Sequence, residues 1–235
     1  MNLDQIVVSP KSPEESFQFN GESLNFKILD FWIWNQSDLL VNTNRGVLAE
    51  FIVKQALNIG NTSRVEWDTF DLKTQDGISV EVKTSAYIQS WPQNKYSSIT
   101  FDISPTAKLF PNNTYSSDKQ RQAMIYVFCL LHHLDQETID PMNLDQWTFY
   151  LVKTETLNER LPNQKSMSLS TLEKLDPIKC DFGGLEASFR EMKDALDLIS
   201  PDTEYLTSIP GMRESIIEGI NTPIEECTDK HDWAV

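Results

Sequence analysis

The sequence has no run of about 18 apolar residues, so nothing in it reads as a membrane span. Its start, residues 1–21, is polar and mildly acidic, without the basic opening and apolar centre of a secretory signal. Cysteine is scarce. Cys129, Cys180 and Cys227 lack metal-ligand spacing, and their odd number leaves one unpaired, which fits a reducing cytoplasm. Basic residues are in short supply: 20 Lys and Arg face 35 Asp and Glu, for a net charge of −15. That balance argues against general nucleic-acid binding, because phosphate contacts need basic patches. Internal repeats and low-complexity tracts are absent too.

What is present is enough for one large domain, or one domain and a tail: 235 residues, 40% hydrophobic and 10% aromatic. The charge is uneven. Residues 26–110 carry 8 basic and 9 acidic groups, a net of −1, whereas residues 200–235 carry 2 and 8, a net of −6. The chain divides accordingly into an N-terminal arm (1–25) broken by Ser9-Pro10 and Ser12-Pro13, a main domain (26–199) and an acidic tail (200–235).

Residues 24–40, rich in Phe and Trp, read as helical or irregularly packed. Thr43 or Asn44 can cap a helix over 45–57 that stops near Gly60. Its apolar face holds Leu48, Ala49, Ile52, Val53, Ala56 and Leu57, with Glu50 at the edge of that face. Strands are expected over 64–72 and 78–87, joined by a turn with Asp76-Gly77, and over 96–103. The apolar run within 120–132 reads as a buried strand, 146–152 as another, and 170–175 and 185–198 as helices. This order argues for a mixed α/β domain around a central sheet.

The chemistry concentrates at residues 67–83. On the second strand Ile78, Val80 and Val82 share one face, and Ser79, Glu81 and Lys83 the other. Two opposite charges side by side on a strand with an apolar back form a site on a rigid element. Two carboxylates can hold Mg²⁺ through oxygen ligands, and the metal can activate a water for phosphodiester hydrolysis. A lysine beside carboxylates stays protonated, which favours an electrostatic role over that of a base. Asp68 and Asp71 compete as the upstream acid. If Leu72 pairs with Ile78, Asp71 shares the face of Glu81; a one-residue bulge reverses this.

These residues resemble the PD-(D/E)XK nuclease superfamily, with its restriction-endonuclease-like fold, over about residues 44–91. Asp71 matches the first acid, Glu81 the second and Lys83 the lysine, and Glu50 matches an acid of the preceding helix. Phe70 stands where that pattern has proline. The resemblance implies a mixed central sheet flanked by helices, and Mg²⁺ or Mn²⁺ held by Asp71, Glu81, Glu50 and the Val82 carbonyl. It implies a DNA endonuclease, in a restriction or phage-defence setting, with DNA as partner and homodimer formation left open.

Other residues carry bland readings beside functional ones. Gln89 can touch a phosphate or serve as a structural polar group, and the second is the expectation. His132 and His133 read as surface residues rather than metal ligands. Trp91, Trp147 and Phe149 can stack on bases, but core packing is expected. Arg45, Lys54, Arg64 and Lys95 are dispersed cations that can meet phosphates.

The tail is a separate signal. Met212, Ile216, Ile217 and Ile220 lie at helical spacing between Pro210-Gly211 and Pro223. So short a helix needs something to pack on, its own domain or another protein's groove. Tyr205-Leu206, Pro210-Gly211-Met212, Glu214-Ser215-Ile216, the closing run from Thr222 to Cys227 and Trp233 resemble the C-terminal end of Phd/YefM-type antitoxins. That resemblance implies binding of a small basic toxin of the RelE/ParE type by residues 200–235. It supports the alternative of a protein-binding module with an inactive nuclease-like domain.

Overall fold

The computed structural model describes residues 8–60, 63–64, 69–109 and 114–196, with positions 209, 211, 212 and 215. The chain divides into two units, Met1–Ala195 and Leu196–Val235. Most of the tail, including the expected antitoxin-like helix apart from Met212 and Ser215, lies outside the described residues, as do Cys227, Trp67 and Asp68.

The first unit opens with a hairpin where an arm is expected. β1 (Ser16–Phe19) pairs antiparallel with β2 (Glu22–Lys27) around Asn20-Gly21, both at positive φ. α1 (Ile28–Gln36) follows and buries none of its side chains. α2 (Asn42–Ala56) starts earlier than expected, because Asp38 accepts from the Leu40 and Val41 N–H groups and turns the chain into the helix at Val41. Asn44 is inside the helix and donates to the carbonyls of Asn35 and Asp38 instead of capping. Asn58, at φ 52°, ends the helix before Gly60 is reached. The Ile59 and Asn58 N–H groups return to the Lys54 and Gln55 carbonyls, which closes the last turn.

β3 (Leu72–Lys73) and β4 (Ser79–Ala86) form a short hairpin. The chain then leaves the main sheet through β5 (Thr100–Asp102), β6 (Thr106–Leu109) and β7 (Tyr115–Gln120). It returns as β8 (Ile125–Leu131), buried at every position, and β9 (Trp147–Lys153). α3 (Thr154–Arg160), β10 (Ser166–Ser168), α4 (Leu169–Glu173), β11 (Ile178–Cys180) and α5 (Leu185–Asp194) complete it. The main sheet has the order β11-β9-β8-β4-β3, with β4 and β8 parallel and the other pairs antiparallel. This is a mixed α/β fold with a mixed central sheet, as the sequence suggests.

Register assigns the faces. Glu81, Lys83 and Ser85 stand beside Tyr126, Phe128 and Leu130 of β8. On this face Tyr126, Phe128 and Leu130 pack with Phe101, Ile103, Tyr150, Leu157 and Met167. Val80 and Val82 stand beside Ile125 and Val127 on the opposite face. α2 and α5 supply buried Ala49, Ile52 and Val53, and Leu185, Phe189 and Met192. The i, i+4, i+7 spacing of the α5 residues is the apolar stripe such a helix needs to bury against a sheet. No helix among the described residues is long and apolar enough to cross a membrane.

Candidate active site

The site begins with the turn that sets the hairpin register. Thr74 N–H donates to the Ile78 carbonyl (2.9 Å), Gly77 N–H to the Thr74 carbonyl (3.0 Å), and Ile78 N–H to the Thr74 hydroxyl (3.0 Å). Gly77 sits at φ +89°, a conformation that glycine reaches without strain. Leu72 therefore pairs with Val80, two residues beyond the pairing with Ile78 that the sequence suggests. A shift of two keeps the parity, so Asp71 stands on the Glu81 side of the hairpin.

Asp71 lies one residue before the edge strand begins. Its Oδ2 accepts from the Val82 N–H at 2.7 Å, a donor on the β4 edge that a longer β3 would have paired. Burial pushes the Asp71 carboxyl up to about 7, and the negative charges of Glu81 and Glu50 push the same way. The Val82 hydrogen bond and the Lys83 charge oppose that rise without cancelling it.

Glu81 and Lys83 project from β4 on one face, and Glu81 Oε1 meets Lys83 Nζ at 2.5 Å. Burial draws the lysine down, but the charge and hydrogen bond of Glu81, backed by Asp71 and Asp102, outweigh it. Lys83 is thus held above its ordinary value and stays an ammonium. Two neighbours escaped the sequence reading. Asp102, on β5, adds negative charge near Lys83 while its Oδ1 accepts from the Ser104 N–H at 2.7 Å. Tyr126, the β8 partner of Glu81, has its phenol raised by burial and by the Glu81 charge, so it stays neutral. Tyr126 comes to β4 through the sheet order, and Asp102 through the packing of β5 near β4, placements that only the folded chain reveals.

Glu50 brings a third carboxylate from α2, and Arg64 holds it through two hydrogen bonds. Arg64 Nε is 2.5 Å from Glu50 Oε2 and Nη2 is 2.9 Å from Oε1, a forked pairing that orients both groups. The structure thus brings Asp71, Glu81, Lys83 and Glu50 into one electrostatic cluster. Among the described residues no three His, Cys, Asp or Glu side chains stand ready by themselves to hold a metal ion. Two of the carboxylates have cationic partners: Glu50 is on Arg64 and Glu81 on Lys83.

The remaining candidates fall elsewhere. Gln89 is buried and accepts from Arg45 Nη1 at 3.0 Å while donating to the Ala86 carbonyl at 2.8 Å, a structural role. Arg45 is buried and also donates to the Leu40 carbonyl and Asn42, so it meets no phosphate. His132 Nδ1 contacts the Thr148 hydroxyl, and His133 Nε2 that of Thr138. Trp147 and Phe149 are core residues, whereas Trp91 is exposed. Cys129 and Cys180 are free thiols.

The family model described as bacteriophage T4 endonuclease IV matches residues 27–171. That stretch contains Glu50, Asp71, Glu81, Lys83 and Asp102, together with the sheet from β3 to β9. No curated protein matches the chain.

Proposed function

The chain belongs to the bacteriophage T4 endonuclease IV family, and on that premise we propose that it is a divalent-metal-dependent DNA endonuclease of the PD-(D/E)XK kind. The observation that carries the reading is the Asp71 carboxyl, buried beside Glu81 and Glu50 and raised to about 7 by burial and their charge. A site with such surplus negative charge fits a bound cation, and its oxygen donors suit Mg²⁺ or Mn²⁺.

In this proposal Asp71, Glu81 and the Val82 carbonyl hold the metal. The N–H and C=O of a strand residue leave the same edge, so the carbonyl shares the edge on which the Val82 N–H meets Asp71. Glu50, engaged on both oxygens by Arg64, adds charge and orients that guanidinium. When bound, the metal supplies an activated water and positive charge for the scissile phosphate. Lys83 keeps its proton, offsets the charge that develops on the phosphate, and orients the attacking water. Tyr126, also protonated, walls the site beside Glu81.

Incubation of the purified protein with supercoiled plasmid and Mg²⁺ or Mn²⁺ tests this. Nicking is expected, with Lys83→Ala slower by about 10²–10³, the usual loss for one charge-stabilising donor. No nicking, or nicking by Lys83→Ala equal to wild type, refutes it. A second role, capture of a small basic toxin by residues 200–235, is supported by the tail's sequence and acidity. Loss of that capture on truncation at residue 200 is its test.

A further inference from the structure

α2 has a second face that its core packing does not explain. Ala49, Ile52 and Val53 point into the protein, while Val47, Glu50, Phe51 and Lys54, at i, i+3, i+4 and i+7, form a separate stripe. That stripe is one wall of a cavity of about 620 Å³, in the size range of small-molecule sites. Phe70 and Asp71 line it on the hairpin side. Phe51 is 53% exposed, a large aromatic left uncovered beside the catalytic carboxylates. Lys54 and Lys73 also line the space, and Arg64 sits at Glu50. The space is far larger than a metal and its water need, and Asp71, Phe51 and two lysines all line it.

We propose that this cavity receives one unstacked nucleobase adjoining the phosphate at Asp71 and Glu81, with the base stacked on Phe51 and Lys54 against a neighbouring phosphate. The inference rests on the nuclease reading of the site. Charge complementarity favours a nucleotide over an apolar peptide side chain: Phe51 offers an aromatic surface, and Lys54 and Lys73 in the lining suit phosphates on either side of a base. A base paired in a duplex cannot enter such a space, so the nucleotide must be single-stranded or turned out of the stack. Base stacking on aromatic side chains tolerates any sequence and raises affinity measurably.

The test measures binding apart from cleavage. Fluorescein-labelled homopentanucleotides of each base, and an abasic pentanucleotide with the same phosphates, are titrated into the full-length protein in Ca²⁺ and followed by anisotropy. The best base-bearing strand is expected to bind at least about tenfold tighter than the abasic one, a gap typical of one stacked base. Phe51→Ala removes most of that gap, and its exposed position leaves the fold intact. Lys54→Ala weakens base-bearing and abasic strands alike. Equal binding of abasic and base-bearing strands, absence of binding by any of them, or a gap that survives Phe51→Ala overturns the proposal. Plasmid nicking distinguishes the two readings. Nicking without base discrimination removes the pocket alone, and discrimination without nicking removes the hydrolytic reading alone.

Discussion

Replacing Asp71 with Asn should make the metal-free protein more stable, and by an amount that depends on pH. The carboxyl rises from its ordinary 3.8 to about 7 on folding. At about 1.36 kcal/mol per pH unit, that difference corresponds to ~4 kcal/mol once the group is ionised in both states. Below about pH 4 the folded and unfolded chains both hold the proton, and Asp71 is neutral to stability. Between about pH 4 and 7 the unfolded chain ionises while the folded chain stays protonated, so stability falls as pH rises through that window. The asparagine amide oxygen can still accept from the Val82 N–H, so the substitution removes the charge and keeps the bond. Urea unfolding of wild type and Asp71→Asn should give curves that nearly coincide at pH 4. They should separate by ~1.4 kcal/mol per pH unit up to about pH 7 and stay apart above it. Mg²⁺ at pH 8 should stabilise wild type more than the variant, because a cation bound to the folded state alone shifts the equilibrium toward it. A difference independent of pH, or a variant less stable than wild type at pH 8, refutes the account of a buried, repelled carboxyl.

Two further outcomes concern the scaffold. Arg121 is buried and donates to the carbonyls of Ile103 (2.9 Å), Leu161 (2.9 Å) and Gln164 (3.1 Å) and to Asn158 Oδ1 (2.8 Å). Arg121→Met leaves these acceptors unpaired and should cost about 3 kcal/mol or more in urea unfolding; a loss under about 1 kcal/mol contradicts that role. Gly77→Ala meets no atom within 4 Å but forces alanine to φ +89°, so it should cost about 1 kcal/mol from backbone strain alone. Gly77→Asn should lose less, and equal losses for the two would locate the cost elsewhere.

The parts of the fold legible in the sequence are those written in local patterning. The unbroken run from Ile125 to Leu131 reads as a buried strand and is one, and Trp147–Lys153 follows the same logic. The parity argument for Asp71 survives a register two residues off, because only an odd slip moves a side chain to the other face. Features that depend on polar side chains were harder to read. The start of α2 is set by Asp38 bonding to two backbone N–H groups outside the helix, so the caps at Thr43 and Asn44 were the wrong residues. β7 lacks the apolar alternation that marks a strand, β1 and β11 alternate over only four and three residues, and α3, seven residues long, is too short for a periodic signal. At the site, Glu81 and Lys83 are two residues apart and were visible. Tyr126 joins them because β8 returns alongside β4, Asp102 because β5, from outside the main sheet, packs near β4, and Arg64 reaches Glu50 from 14 residues further along the chain.

The brevity of β3 has a consequence for how the molecule behaves at high concentration. Among the described residues, β3, with two residues, pairs with only the start of the outer edge of β4, and such an edge is a template for another chain. Side chains guard that edge instead. Asp71 occupies the Val82 N–H, and Gln89 occupies the Ala86 carbonyl. A foreign strand would have to displace a carboxylate and a buried amide to zip onto the sheet, and it would meet the Glu81–Lys83 pair as it came. The cluster proposed to cut phosphodiesters therefore also occupies edge groups that a foreign strand would need.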